Sequence, residues 1–551
     1  MRNPKAQIPN PKSQGEPKAR GGRAPIVRSR RRWPGLRVGI SLGFGIWVLG
    51  SGLCLASATP LTDAVKAGDR AAVKSQLAKH ADVNAAEPDG TTALHWAVRA
   101  DDRETVAALL KHGATATATN RYGVTPIHLA ATNGSAAVVR MLLDAGAKPD
   151  TANPEGETAL MTAARAGSVD TVKLLASRGA NVNARESWFG ETALMWAAVE
   201  NHADVVRTLI SLGADVNARS TVLEAPELEF PKSGGPNMPF ARGGWTPLMY
   251  AAREGSIDAA RALLDLKADP NLVALPQTTD ISLTDDIKQG IDKHVGTSAL
   301  VYAIINAHFD LAAMLLDRGA DPNIADHTGM AALYAAVEWN TLQWVQSRPA
   351  PIWKDTLDGT ALIKTLIEHG ANPNATLVSA PPKISLDPGA TLGFAKGATP
   401  LMRAARTNDV GAMRVLLDAG ADPKATLPDG TTVLMIAAGQ GLGPLRGEGP
   451  RIRVPTEEGA VQAVGLLLDR GVSINATNNA GNTALHSAVS RGDRVVKFLV
   501  ERGADLHAKN KAGFTPLDIA QGSGGRGGRA AVVRESTATL LRQLGAEAAA
   551  P

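Results

Sequence analysis

Residues 156–184 read GETALMTAARAGSVDTVKLLASRGANVNA, and close copies of that stretch recur along the chain. GVTPIHLAATNGSAAVVRMLLDAGAKPD stands just before it and GNTALHSAVSRGDRVVKFLVERGADLHA near the end. Aligned on G-x-T-A/P-L, the threonine or its replacement falls at Thr92, Thr125, Thr158, Thr192, Thr246, Ser298, Ala331, Thr399, Thr432, Thr483 and Thr515. The short intervals are 32 to 34 residues, and the longer ones contain inserted segments. A degenerate first copy from Thr59 brings the total to about twelve. A repeat of this size cannot bury its apolar face alone, so it must stack on its neighbours and the array can grow. Such a chain builds a long surface rather than a single catalytic pocket.

Each part of the repeat has a physical job. The threonine is a helix N-cap, its hydroxyl accepting from a free backbone N–H. Pro126, Pro247, Pro400 and Pro516 take the first helical position, where a missing N–H costs nothing. Apolar residues then recur at helical spacing through two short helices, as in Leu160, Ala163, Ala164, Val172, Leu174 and Leu175. The second helix is expected to stop at a left-handed glycine such as Gly113, Gly179 or Gly503. His80 and Lys267 stand where that glycine belongs and should each cost about 1–2 kcal/mol. Asn84, Asn183, Asn217, Asn271, Asn323, Asn374 and Asn475 follow, and are expected to form turns by bonding to nearby backbone.

TPIHLAA (Thr125–Ala131), TALHWAV (Thr92–Val98) and TALHSAV (Thr483–Val489) resemble the ankyrin repeat, and the resemblance runs from Thr59 to about Gly545. It implies a mainly all-α solenoid of stacked helix–turn–helix units joined by β-hairpin-like finger turns. It also implies a non-enzymatic scaffold that binds a protein partner through its fingers and concave helix face. Position by position, that face takes in Asn133, Arg165, Glu200, Arg253, Asn306, Trp339, Arg406 and Arg491.

The domain reading is a leader at 1–58 and arrays at 59–275, 295–378 and 396–551, the last including a C-terminal cap. Pro- and Gly-rich insertions are expected between repeats at about 221–242, 276–294 and 379–395. Two more fall between paired helices at about 341–359 and 441–459.

Net charge is +5, but residues 1–58 hold 11 Lys and Arg against the single acid Glu16. The remainder carries 58 − 11 = 47 bases and 53 − 1 = 52 acids, about −5, which gives no electrostatic footprint for nucleic acid. Within the leader, arginines precede the uncharged run Val38–Ala58, which ends in Ala56-Ser57-Ala58. That pattern reads as an export signal, so cleavage after Ala58 and a periplasmic or secreted bacterial protein are expected. The alternative is an inner-membrane anchor formed by residues 38–58. SRRRW (Ser29–Trp33) resembles the twin-arginine export motif, from which Pro34 departs. Cys54 is the only cysteine, so a cleaved chain has no disulfide, thiolate metal site or cysteine nucleophile.

Seven of the eleven histidines have a place in the repeat, among them His95, His128 and His486 in T-x-L-H. None of the remaining four forms an H-E-x-x-H pair, and G-x-x-x-x-G-K-[ST] is absent from the sequence. The expectation is therefore no catalytic residue, no cofactor and no metal. Trp96, Trp196, Tyr250 and Tyr302 share one helix position and are expected in the core between repeats. Candidate partner-binding residues are Tyr122, Trp188, Phe189, Phe230, Phe240 and Trp245 at finger turns, with Arg165, Arg253 and Trp339 on the inner face. The partner is a protein of unstated identity, the chain is read as a monomer, and membrane contact is limited to the leader. Two other readings stand beside the scaffold: an accessory protein for one secreted or redox client, and catalysis or small-ligand sensing by an insertion.

Overall fold

The computed structural model describes residues 59–221, 243–274, 296–341, 355–378, 396–439, 456–523 and 533–547. The chain divides into units 1–55 and 56–551, and everything described lies in the second. The leader and most of each expected insertion, with Phe230 and Phe240, fall outside the described residues.

Among the described residues, twelve helical pairs follow one another. The first helices are Pro60–Lys66, Ala93–Arg99, Pro126–Thr132, Ala159–Arg165, Ala193–Val199 and Pro247–Glu254, then Ala299–Ile305, Ala332–Thr341, Pro400–Thr407, Val433–Ala438, Ala484–Ala488 and Pro516–Ala520. Each is followed by its second helix, from Arg70–Ala78 in repeat 1 to Glu535–Gln543 in repeat 12. First helices pack on the first helices of adjacent repeats and second helices on second helices, so the array has two helical layers. No strand is present among the described residues beyond isolated bridges such as Ala152–Thr158.

The local rules hold. Thr158, Thr192, Thr246, Thr399 and Thr432 accept from the backbone N–H three residues on. The second residue after every cap is Leu, or Ile127 in repeat 3, and all twelve are buried. Burial of each such side chain stabilises by about 2 kcal/mol, which fits the interlocking of layers through one apolar stripe. His80 and Lys267 do adopt the left-handed conformation, at φ 54° and 73°. The helix ending at Thr341 and those starting at Gly359 and Glu457 place helical residues at the ends of the expected 341–359 and 441–459 loops.

The asparagines after the second helix work differently from the expected local turn. Asn323 Nδ2 donates to the Gly370 carbonyl at 2.9 Å, and its Oδ1 accepts from Asn372 N at 2.8 Å, both in the next repeat. Asn84, Asn183, Asn271, Asn374 and Asn475 make the same two bonds to the repeat that follows them. One amide thus satisfies a helix-end carbonyl that has no partner within its own helix, and ties each repeat to the next.

Histidines tie the first-helix layer in two ways. His95, His128 and His486 sit three residues after the cap, where each ring reaches a carbonyl at the base of the next finger. His202 and His308 precede the second helices, and their Nε2 atoms lie 3.0 and 3.2 Å from the carbonyls of Arg165 and Arg253. A Cβ at Gly167 or Gly255 would come within 2.8 and 2.5 Å of those rings, so the bare backbone there makes room for them.

Finger bases share a two-bond lock. In the short finger after repeat 1, Glu87 N donates to Thr91 O and Gly90 N to Glu87 O. Ser220, Ala274 and Leu377 make the equivalent bonds with Trp245 and Gly244, Thr297 and Gly296, and Ala398 and Gly397. These three flank the undescribed segments 222–242, 275–295 and 379–395. Arg219 adds a tie there: Nη1 donates to the carbonyls of Gly244, at 2.9 Å, and Val273, at 2.7 Å.

Candidate partner-binding surface

Counted from the cap, the fourth and seventh residues of the first helices meet across several of the joints between repeats. The seventh side chain of one repeat meets the fourth of the next. Lys66 Nζ lies 4.5 Å from the Trp96 ring centroid and the Arg165 guanidinium 4.7 Å from that of Trp196. Such cation–π contacts are worth about 0.5–1 kcal/mol where exposed. The indoles are oriented from beneath: Trp96 Nε1 donates to Glu87 at 2.7 Å and Trp196 Nε1 to Glu191 at 2.9 Å. Burial pushes the Glu191 carboxyl up, while hydrogen bonds from Tyr250 and Trp196 act against that rise.

At repeats 8 and 9 the same two positions hold charges instead. Glu338 Oε1 and Arg403 Nε are 4.0 Å apart, with both side chains buried. Burial pushes Glu338 up, and it also brings Arg406 down to about 10, aided by repulsion from Arg403. A buried pair of this kind offsets desolvation only partly. Arg406, expected on an open face, is only 7% exposed.

The finger tips form the second surface. Their usual scaffold is an Asx side chain five residues before the cap, as at Asn120, whose Oδ1 accepts from Tyr122 N and Val124 N. Asn478 and Asn510 repeat this arrangement. The finger after repeat 4 is one residue longer, and Glu186 replaces the Asx residue. Its carboxylate accepts from the amides of Trp188 and Phe189 at 2.6 Å and of Glu191 at 2.9 Å. One more methylene in the side chain spans one more residue in the loop. Ser187 N also donates to Glu155 O in the preceding finger, and Thr221 N to Phe189 O. On this fixed backbone the Trp188 and Phe189 side chains are 56% and 42% exposed, against 8% for Glu186.

No group of three or more His, Cys, Asp or Glu side chains among the described residues could hold a metal. No helix among them is long and apolar enough to cross a membrane.

Models of the ankyrin repeat match residues 61–153 and 145–220 as triple copies and 467–520 as multiple copies. Single ankyrin repeats match at 243–274, 295–327 and 396–426. The chain belongs to the ankyrin repeat family.

Among curated proteins, ankyrin repeat and KH domain-containing protein mask-1 of Caenorhabditis elegans is 31% identical over 112 residues. A second ankyrin repeat and KH domain-containing protein, from Caenorhabditis briggsae, is 32% identical over 112 residues. Each alignment covers 17% of this chain and spans 4% of the length of the curated relative. The ankyrin repeat domain of human ASB11 aligns at 25% identity and a TM-score of 0.37, covering 48% of this chain and 100% of that domain.

Within the ankyrin array, the expected contact residues separate into groups. Tyr122, Trp188 and Phe189 stand exposed on fingers, and the Arg121 guanidinium lies 4.8 Å over the Tyr122 ring. Arg165 is exposed on the inner face, whereas Arg253 is half-buried over the rings of Trp245 and Tyr250. Trp245 is buried, which corrects its expected place at the surface. Its ring packs 5.3 Å from Tyr250 and 4.8 Å from Tyr302, so it fills the joint of repeats 6 and 7. Trp339 is also buried, at 7% exposure. Tyr250 and Tyr302 lie in the core as expected, but Trp96 and Trp196 are only half-buried, each sharing its ring with a solvent-facing cation. Glu186 and the Glu338–Arg403 pair escaped the reading of the sequence. The signals for them were one extra residue in a finger and opposite charges at the fourth and seventh positions of successive ankyrin repeats.

Proposed function

We propose that this ankyrin array is an exported protein-binding scaffold without enzymatic activity, whose partner seats on the finger after repeat 4. The reading rests on Trp188 and Phe189, two adjacent aromatic rings left in solvent on a backbone that Glu186 holds fixed. Large aromatic side chains on a rigid support lose little entropy on binding and supply hot spots. The half-exposed Trp96 and Trp196, with Arg165 above the latter, extend this surface along the first helices. Export is supported by the basic stretch, apolar run and Ala56-Ser57-Ala58 of the leader.

Two measurements test the reading. The Trp188→Ala/Phe189→Ala double variant should keep its melting temperature yet lose at least tenfold in affinity for a partner isolated with the wild-type chain. An unchanged affinity, or a collapse in stability, would remove the finger from the interface. N-terminal sequencing of the mature protein should begin at or near Thr59; an intact leader in the membrane fraction would replace export with anchoring.

A further inference from the structure

We propose that the array carries an acid-sensitive seam near each end, at repeats 2–4 and at repeats 11–12, while the joints between stay closed. The geometry that carries this is repeated three times. His95 Nδ1 lies 3.2 Å from Thr92 N and 2.9 Å from Thr92 Oγ1, and its Nε2 lies 3.2 Å from the Val124 carbonyl. For His128 the distances are 3.4, 2.8 and 3.1 Å to Thr125 N, Thr125 Oγ1 and the Glu157 carbonyl. For His486 they are 3.1, 2.9 and 3.1 Å to Thr483 N, Thr483 Oγ1 and the Phe514 carbonyl.

A backbone N–H can only donate, so Nδ1 must present a lone pair and the ring proton must sit on Nε2, where it donates to the next repeat. Protonating Nδ1 sets one N–H against another and breaks the cap from which that reach is made. All three rings are buried.

The rest of each surrounding does not reverse this. Charge at Asp89, Glu157 and Asp505 pulls toward protonation of His95, His128 and His486 respectively. Carbonyls of Val124 and Ala118, of Glu157 and Thr151, and of Phe514 and Ala508 pull the same way. Burial outweighs them and holds all three imidazoles below the usual histidine range. The unfolded chain therefore takes up protons first. The stability these rings contribute is complete above about pH 6.5 and is lost as pH falls below it, by about tenfold per ring per pH unit.

The middle of the array lacks this device. The same position is Met161, Met195, Met249, Val301, Tyr334, Met402 and Met435 in repeats 4 to 10. His202 and His308 bond through Nε2 to carbonyls, an interaction the imidazolium also makes. His369 stands at the end of its second helix, 3.4 Å from Asp317, and takes no part in a cap of this kind. Acid should thus open the array from its ends.

Native-state hydrogen exchange on the full chain, at pH 7.2 and 5.5 with intrinsic rates corrected, tests this. Protection should fall at least tenfold in 93–132, which holds two of the rings, and several-fold in 484–520, which holds one, while 193–265 and 400–438 keep theirs. His95→Gln with His128→Gln should remove the pH dependence of the N-terminal segment, and His486→Gln alone that of the C-terminal one. Should the double variant fail to fold, the single variant still decides. Equal loss along the whole array, or pH dependence surviving in His486→Gln, overturns the proposal.

Discussion

The guanidinium of Arg165 lies 4.7 Å over the ring of Trp196 in the next repeat, and the indole N–H beneath it donates to Glu191 at 2.9 Å. The cation is exposed, and the acid that orients the ring is mostly buried. The two halves of this contact therefore carry different weights. Arg165→Ala should cost no more than about 1 kcal/mol, the worth of the exposed cation–π contact, since its ion pair with Glu157 is long and solvated. Trp196→Ala should cost about 2–4 kcal/mol, because it opens a gap and removes one of the hydrogen bonds of a mostly buried carboxylate. Urea titrations of both variants check the ratio.

Leu209 is fully buried in the second helix of repeat 5, Ala203–Ser211. Leu209→Ala should cost about 2–5 kcal/mol. Because each repeat packs on its neighbours alone, the damage should be local: exchange rises through 193–265 while 400–438 stays protected. A uniform rise along the chain would indicate one cooperative body.

His80 and Lys267 occupy left-handed backbone without being glycine. Replacing either by glycine should stabilise by about 1 kcal/mol. The check is thermal unfolding of His80→Gly and Lys267→Gly, where an unchanged or lower midpoint would show that the side chains compensate for the strained backbone.

Asn323 both donates to and accepts from the next repeat. Asn323→Ala should cost about 1–2 kcal/mol. Asn323→Asp keeps the acceptor and loses the donor, so its cost should fall between Ala and wild type. Repeat 3 already lives with that state, since Asp150 accepts from Asn181 N at 2.8 Å. Local exchange near residues 359–375 measures both.

What the sequence makes legible follows from how far a residue's reason extends. Thr caps, prolines at first helical positions and left-handed glycines answer to backbone demands within a few residues, and they were readable along with the stacked fold. Trp245 was misplaced because its burial is set by Tyr302, 57 residues away in the following repeat and across an insertion. The asparagines were read as local turns because their partners lie in the next repeat, where only the stacked register brings them. Glu338 and Arg403 meet for the same reason. Trp188 and Phe189, by contrast, were visible because large rings stand where other fingers carry polar or small residues.

The two-bond lock at the finger base has a consequence for how such a chain can change. Ser220 with Trp245, Ala274 with Thr297 and Leu377 with Ala398 close the same way as Glu87 with Thr91. The helices on either side therefore register only that the loop is shut, and its contour length does not reach them. Segments at these three places can be lengthened, shortened or exchanged by mutation without the packed layers resisting, so novelty can accumulate along one edge while the rest of the molecule is inherited unaltered.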